Sequence, residues 1–244
     1  TTPALLSADV AGGILEWAEA PGRSLYDLLH DHTVPVGVLA VAGRMTGNTL
    51  RALHDAAAPA GLSAHTAQDE IDSTTAWLRH AQTHHALPCE VHVRLDEAVA
   101  ALRAAGAAAV PIHRDLHEKQ VMIADGNVTV LDVDTIAVGE AAVDVANLLV
   151  HLDLRVTLGL PAERAEVTAQ AFLDAYEPPP TVRRRLAAHA TLTRIRLASL
   201  YAFRPRQAAA ALRLIAGSCG STRCCELGDE TSASSGRTSL IARP

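Results

Sequence analysis

Aromatic side chains make up only 3% of the sequence: two Trp, two Phe and three Tyr. A chain so poor in flat rings lacks the stacking platforms that single-stranded RNA or DNA requires. Positive charge is short as well. Against 27 Asp and Glu stand 21 Lys and Arg, a formal net charge of -6, where a general nucleic-acid binder would carry a basic face. There is no run of about 18 uncharged apolar residues, and the N-terminus lacks the basic-then-apolar order of a signal peptide. Neither a membrane span nor export is therefore expected, and a cytoplasmic location follows by default. The four cysteines, Cys89, Cys219, Cys224 and Cys225, form no C-x-x-C pair and support neither a zinc ribbon nor a disulfide framework. They read as reduced thiols. What is abundant is apolar surface, 49% of 244 residues, enough for a sizeable core in one large domain or two small ones.

The opening TTPALLSADVAGGILEWAEAPG reads as strand, Gly12-Gly13 turn, strand, then a Pro21-Gly22 break, the pattern of a hairpin. Because a two-stranded hairpin is marginal in water, these strands are expected to belong to a sheet whose remainder lies upstream of Thr1. From Ser24 the periodicity becomes helical: SLYDLLHD, then a long segment from Pro35 through Leu39, Met45, Leu50, Leu53 and His54, then two stretches near 65–84 and 89–105. Three more helical patterns follow Gly139, in GEAAVDVANLLVHLDLRVTL, AERAEVTAQAFLDAY and TVRRRLAAHATLTRIRLASLYAF. Beyond Gly217 the chain is polar, Ser/Thr/Gly-rich and aperiodic, the composition of a disordered tail.

Between the helical halves lies VPIHRDLHEKQVMIADGNVTVLDVD. Val110-Pro111-Ile112 ends a buried strand, and two apolar runs flank Asp125-Gly126-Asn127, so the segment reads as strand, polar loop and hairpin. Asp115 and Gln120 sit in the loop, and Asp132 ends the second hairpin strand. A hairpin of this length returns Asp132 to the mouth of the loop. Two carboxylates and an amide carbonyl then converge, which is oxygen-ligand chemistry suited to Mg²⁺.

The same residues carry a resemblance. His113-Arg114-Asp115-Leu116-His117-Glu118-Lys119-Gln120 is similar to the H-[GR]-D-x-H-x-x-[NQ] loop of the aminoglycoside phosphotransferase and choline-kinase-like family, relatives of the protein kinases. Leu131-Asp132-Val133-Asp134 resembles that family's acidic metal motif, and Gly139 to Ala146 its G-[DE]-x-x-x-D-[LV]-A helix start. Upstream, ILEWAEAPGRSL resembles the hinge and LRALHD the L-x-x-L-H end of a long helix, so the likeness runs in order over residues 3 to 215.

The resemblance implies an α+β fold: the mainly helical C-terminal lobe of a protein-kinase-like fold, a β-hairpin carrying the metal site, and two residual strands of the nucleotide lobe. It divides the chain into residues 1–22, remnant nucleotide lobe and hinge, 23–216, the catalytic and substrate lobe, and the tail 217–244. It also implies phosphoryl transfer from ATP to a small-molecule hydroxyl with Mg²⁺. Asp115 would be the catalytic carboxylate, Asp132 and Gln120 the metal ligands, and the main chain of Glu16, Trp17 and Ala18 the adenine contact. Asp144 would be a buried acceptor for loop N–H groups. His113 and His117 would shape the loop, with His117 near phosphate as the sharper reading, and Asp134 would be either an outer acid or a turn residue.

Arg183 to Arg185, Arg194, Arg196, Arg204, Arg206 and Arg213, with no acid among them, read as a solvated helix face. An Arg-rich helix is a poor partner for a polycationic antibiotic, so a sugar or similar hydroxyl compound is the favoured acceptor. Cys89, His84, His85 and His92 straddle Pro88 and read as chance neighbours. No Gly-rich phosphate loop occurs, and no lysine precedes the hinge. The expectation is a kinase-like chain inactive by itself, the alternative a catalytically dead remnant that binds a ligand or partner. A protein kinase is disfavoured, because DVD stands where D-F-G would and no A-P-E follows.

Overall fold

The computed structural model describes residues 2–216 other than His85 and Ala105; the tail expected over 217–244 lies outside the described residues. The chain begins with a hairpin of β1 (Leu5–Asp9) and β2 (Ile14–Trp17). Its turn is closed by the Gly12 N–H donating to Asp9 Oδ1 at 2.9 Å. Every residue of both strands is exposed, apolar side chains Leu6, Ile14 and Leu15 included. Two residues at Arg23–Ser24 form β3, and Ser24 then caps α1 (Leu25–His30) by accepting from the Asp27 N–H. A long helix α2 (Val36–Asp55) follows. The short β4 (Ala64–His65) leads into α3 (Ala67–Thr83), whose start is a reciprocal capping box between Thr66 and Asp69. Next come α4 (Val91–Ala104), β5 (Ala109–Ile112) and the hairpin β6 (Val121–Ala124) and β7 (Asn127–Val130). A 3-10 turn at Val133–Thr135 precedes β8 (Ala137–Glu140). Four helices complete the chain: α5 (Ala142–Thr157), α6 (Ala162–Tyr176), α7 (Pro180–Ala202) and α8 (Ala208–Ala216).

The fold is α+β, with two three-stranded sheets beside a helical core, ordered β3-β6-β7 and β4-β8-β5. The β6–β7 turn is the Asp125-Gly126 pair, with φ of 47 and 77, the left-handed geometry that gives a two-residue hairpin the right twist. β3, β4 and β8 escape sequence reading. Two are dipeptides with no periodicity to detect, and β8 ends in Gly139-Glu140, which pattern assigns to the approach of a helix.

Helix packing explains two features of composition. Gly43 and Gly47, one turn apart on α2, face α6 so closely that an added Cβ would collide with the carbonyl oxygens of Thr168 and Phe172. α7 packs against α3, α4, α5 and α8 at once, so most of its surface is covered. The structure corrects the solvated-face reading for part of the arginine set: Arg185 and Arg194 are each 4% exposed and Arg196 is half-buried, whereas Arg184, Arg204, Arg206 and Arg213 are exposed. Arg185 grips Glu140 through two bonds, Nη2 to Oε1 at 2.6 Å and Nε to Oε2 at 2.5 Å, and His189 adds a third at 2.8 Å. Arg194 reaches Asp153 at 2.7 Å, and Arg196 reaches Asn147 at 2.9 Å.

Two outcomes test this packing. Gly47→Ala should lower unfolding free energy by about 1–3 kcal/mol through overpacking. Gly37→Ala, where a Cβ meets nothing within 4 Å, should not destabilise; urea titration of both variants separates the cases. For Glu140, burial opposes ionisation, but hydrogen bonds from His189 and Arg185 outweigh it and bring the carboxyl from 4.5 to about 2. Its stabilisation is then complete above the unfolded value and lost as pH falls through the folded one. Between pH 4.5 and about 2, native stability should fall more steeply for the wild type than for Glu140→Gln in acid-dependent denaturation.

Candidate active site

The polar loop between β5 and β6 is held from beneath by one buried carboxylate. Asp144, fully buried in the first turn of α5, accepts the His113 N–H on Oδ2 at 2.7 Å and the Arg114 N–H on Oδ1 at 2.8 Å. His54, at the end of α2, lies 3.1 Å from the same Oδ2, and its other nitrogen lies 2.8 Å from the Tyr176 hydroxyl. Arg114 adopts φ 74, the left-handed region that disfavours a side chain. Asn147 donates to the Arg114 carbonyl, and Arg114 Nη1 donates to Thr135 O at 3.3 Å. These bonds over-determine an otherwise costly backbone turn.

His113 fixes the loop laterally. Its Nδ1 accepts the Asp115 N–H at 3.3 Å, so Nε2 carries the proton that it donates to Leu131 O at 2.7 Å. Thr135 Oγ1 donates to the His113 carbonyl at 2.8 Å. The loop and the turn after β7 are thereby sewn together. Asp115 is left projecting, its side chain 51% exposed, with His117 Nε2 at 3.9 Å from Oδ2.

Asp132 and Gln120 come together as the segment order implied. Gln120 Nε2 donates to Asp132 Oδ2 at 2.8 Å, and the Leu131 N–H donates to Gln120 O at 2.8 Å. In this orientation the Gln120 amide nitrogen faces the carboxylate, so the carbonyl Oε1 points elsewhere. Asp132 itself is left-handed at φ 59. Its carboxyl is pushed up first by a hydrogen bond with Asp134, then by burial, then by the Asp134 charge, with Asp115 adding to the effect. A carboxyl raised in this way by two neighbouring acids suits a divalent cation held by oxygen.

Glu16, Trp17 and Ala18 lie apart from this loop, on the exposed hairpin and just after it. Glu16 accepts from Ser7 Oγ at 3.0 Å, and the Ala18 N–H is engaged by Ala4 O at 2.8 Å. The described members of the Cys89, His84 and His92 group make no ligand set; His85 lies outside the described residues.

Several contributors escaped sequence reasoning. Glu118 is fully buried under the loop and receives Arg155 Nε at 2.6 Å. His117 stacks on His151 with ring centroids 4.8 Å apart. Tyr26 donates its N–H to Glu118 O at 2.9 Å and lies beneath Lys119 and Arg155. The available signal was His151 and Arg155, four apart on the apolar α5 and hence on one face.

Removing Asp144 would strand two buried backbone donors and the His54 ring. Asp144→Ala should therefore cost about 2–6 kcal/mol, one desolvation penalty for each orphaned donor. His113 and Arg114 amide hydrogens should lose exchange protection ahead of the helical core, as hydrogen exchange followed by NMR would read.

The sequence matches the model of a family described as the phosphotransferase enzyme family over residues 7–189. No curated protein sequence matches it significantly. Among solved structures it is similar to a choline/ethanolamine kinase family protein from Mesorhizobium loti, at 18% identity, TM-score 0.61, covering 93% of this chain and 73% of that one. It is also similar to an aminoglycoside phosphotransferase from Streptomyces rimosus, at 16% identity, TM-score 0.56, covering 80% and 74%. A third is an amicoumacin kinase in complex with AMP-PNP and Ca²⁺, at 17% identity, TM-score 0.56, covering 88% and 64%. At these identities the structures speak for the fold, and the matched family model, which spans most of the sequence, places the chain: it belongs to the phosphotransferase enzyme family.

Proposed function

We propose that this chain is the catalytic and substrate lobe, residues 23–216, of an ATP- and Mg²⁺-dependent phosphotransferase acting on a small-molecule hydroxyl. The observation that carries the reading is the pinned loop: Asp115 projects, half exposed, beside the paired Gln120 and Asp132 while the backbone around it is fixed by Asp144 and His113. In the transfer the bond from the γ-phosphorus to the ADP oxygen breaks and a bond from phosphorus to the acceptor oxygen forms. Asp115 orients the acceptor hydroxyl and takes its proton, which then passes to solvent. Asp132, with Gln120 and Asp134 beside it, would hold Mg²⁺. That ion neutralises phosphate charge when bound. The main chain of Glu16 to Ala18 would meet the adenine edge.

The acceptor follows from what surrounds Asp115. Arg185 and Arg194 are spent on the carboxylates of Glu140 and Asp153, and Arg196 lies 3.9 Å from Glu70, so these three are committed inside the fold. On the α5 side of the loop, away from Asp132 and Asp134, stand instead His117, His151, Lys119 and Arg155, and the acid on that side, Glu118, is buried and paired with Arg155. A wall of this kind suits a neutral or anionic hydroxyl compound, a sugar above all, better than a polycationic aminoglycoside.

The sequence carries no Gly-rich phosphate loop, and its one lysine is Lys119. By itself, then, the chain is expected to bind Mg²⁺ and AMP-PNP weakly and to transfer no phosphate, the behaviour shared with the alternative of an inactive, ligand-binding remnant. Fusing a relative's nucleotide lobe ahead of Pro3 separates the two. In that fusion, phosphate transfer from labelled ATP should reach sugars in preference to aminoglycosides. Asp115→Asn should lower kcat by about 100-fold or more with nucleotide affinity kept. Turnover undiminished by Asp115→Asn removes the mechanism; nucleotide binding without turnover in any fusion favours the remnant.

A further inference from the structure

Beneath the catalytic loop two buried polar atoms face each other without a partner. Glu118 Oε2 and His151 Nδ1 are 3.6 Å apart, neither has a hydrogen bond, and the residues are 0% and 7% exposed. Burying such atoms unsatisfied is costly, and here two of them stand opposite each other. His117 completes the set: one ligand atom from each of His117, Glu118 and His151 lies within 4.8 Å of the others, the one such group among the described residues.

We propose that His117, Glu118 and His151 form a binding site for a divalent ion of the zinc class, separate from the oxygen site at Asp132, that ties the catalytic loop to α5. Two imidazoles and one carboxylate are a borderline-soft donor set that suits Zn²⁺ and leaves a fourth position to water, whereas Mg²⁺ prefers oxygen alone. The spacing agrees. Ligands about 2.0–2.1 Å from a tetrahedral ion stand roughly 3.3 Å apart, close to the 3.6 Å between Glu118 Oε2 and His151 Nδ1. On His117, Nδ1 is occupied by the Lys119 N–H at 3.2 Å, which leaves Nε2 to ligate. Glu118 Oε1 takes Arg155 at 2.6 Å, so the guanidinium orients the carboxylate from outside while Oε2 stays available. Burial lowers the proton affinity of His117 and, much further, of His151; both rings are then neutral and able to ligate near pH 7.

Ligation has a structural consequence. The His117 and His151 rings are stacked, 22° from parallel, and His117 must tilt out of that stack to present Nε2 to an ion shared with His151. Because the same Nε2 lies 3.9 Å from Asp115 Oδ2, an ion there changes the surroundings of the projecting carboxylate.

The test needs no nucleotide and no turnover, so its failure is distinct from failure of the phosphotransferase reading. The full chain, stripped with chelator and dialysed, is titrated with Zn²⁺ against a chromophoric chelator and separately with Co²⁺. We expect one equivalent bound, a Co²⁺ visible spectrum without the thiolate charge-transfer band, and a rise in Tm. His151→Ala and His117→Ala should each weaken binding by more than the roughly 10–100-fold that loss of an orienting partner costs, while His80→Ala changes nothing. His117 lies in the loop and is half-buried, so its variant tests the site even if His151→Ala folds poorly, which circular dichroism reveals. Absence of saturable binding, affinity indifferent to His117→Ala, or a thiolate band assigning the ion to cysteine would each overturn the site.

Discussion

The Asp144 carboxylate is the point on which the architecture around the loop depends. It sits where α5 begins, and its two oxygens hold consecutive N–H groups of a turn that includes a left-handed arginine. A helix N-terminus and two backbone donors are favourable surroundings for a buried anion. Through His54 and Tyr176 the same carboxylate reaches the end of α2 and the end of α6. α2 and α6 are themselves locked by the glycine contacts at Gly43 and Gly47. Loop shape is thus tied to helix packing some distance from Asp115, and a residue in the Tyr176 region can act on the loop through this chain.

Scarcity of aromatic residues has a counterpart in how arginine is used. Arg164 is buried and donates to four carbonyls, Leu28, Leu29, Asp31 and Val34, closing the open end of α1 and the segment after it. Arg185 joins α7 to β8 through Glu140 and to α4 through Leu102 O. Long aliphatic stems fill volume that Phe or Trp would fill elsewhere, while planar heads satisfy carbonyls and carboxylates. The cost is that each such arginine needs its partner: loss of Glu140 or of the α1 carbonyls would leave a charge buried and unpaired.

Legibility in the sequence followed the length and regularity of each signal. The long helices and the Asp125-Gly126 hairpin were legible because period and turn chemistry are local properties. The convergence of Gln120 with Asp132 was legible for the same reason, since a short hairpin fixes its own closure. β3, β4 and β8 were not, because strand identity there comes from partners 25 to 100 residues away, such as Ile123 for Arg23 and Val138 for Ala64. Arg185 and Arg194 misled because a helix packed on several neighbours at once has no apolar stripe, and charge on it resembles a solvated face until its acids are located. Glu118, His151 and Arg155 share the difficulty: only the fold brings loop and α5 together.

Two donor sets of opposite character flank Asp115. On the hairpin side Asp132 and Asp134 present carboxylate oxygens at the surface, the Asp132 carboxyl pushed up by its neighbour, and on the proposed reading a small divalent cation would relieve that repulsion. On the α5 side His117 and His151 offer nitrogens around one buried carboxylate, with Arg155 and Lys119 adjacent. An ion entering from the hairpin side meets uncompensated negative charge; one entering from the α5 side meets a carboxylate already half neutralised and must gain its affinity from imidazole. The chemistry of the ligands, rather than net charge, therefore sorts cations between the two sides. Asp115 lies between them, and the backbone that carries it is fixed through Asp144 and His113 rather than through either donor set.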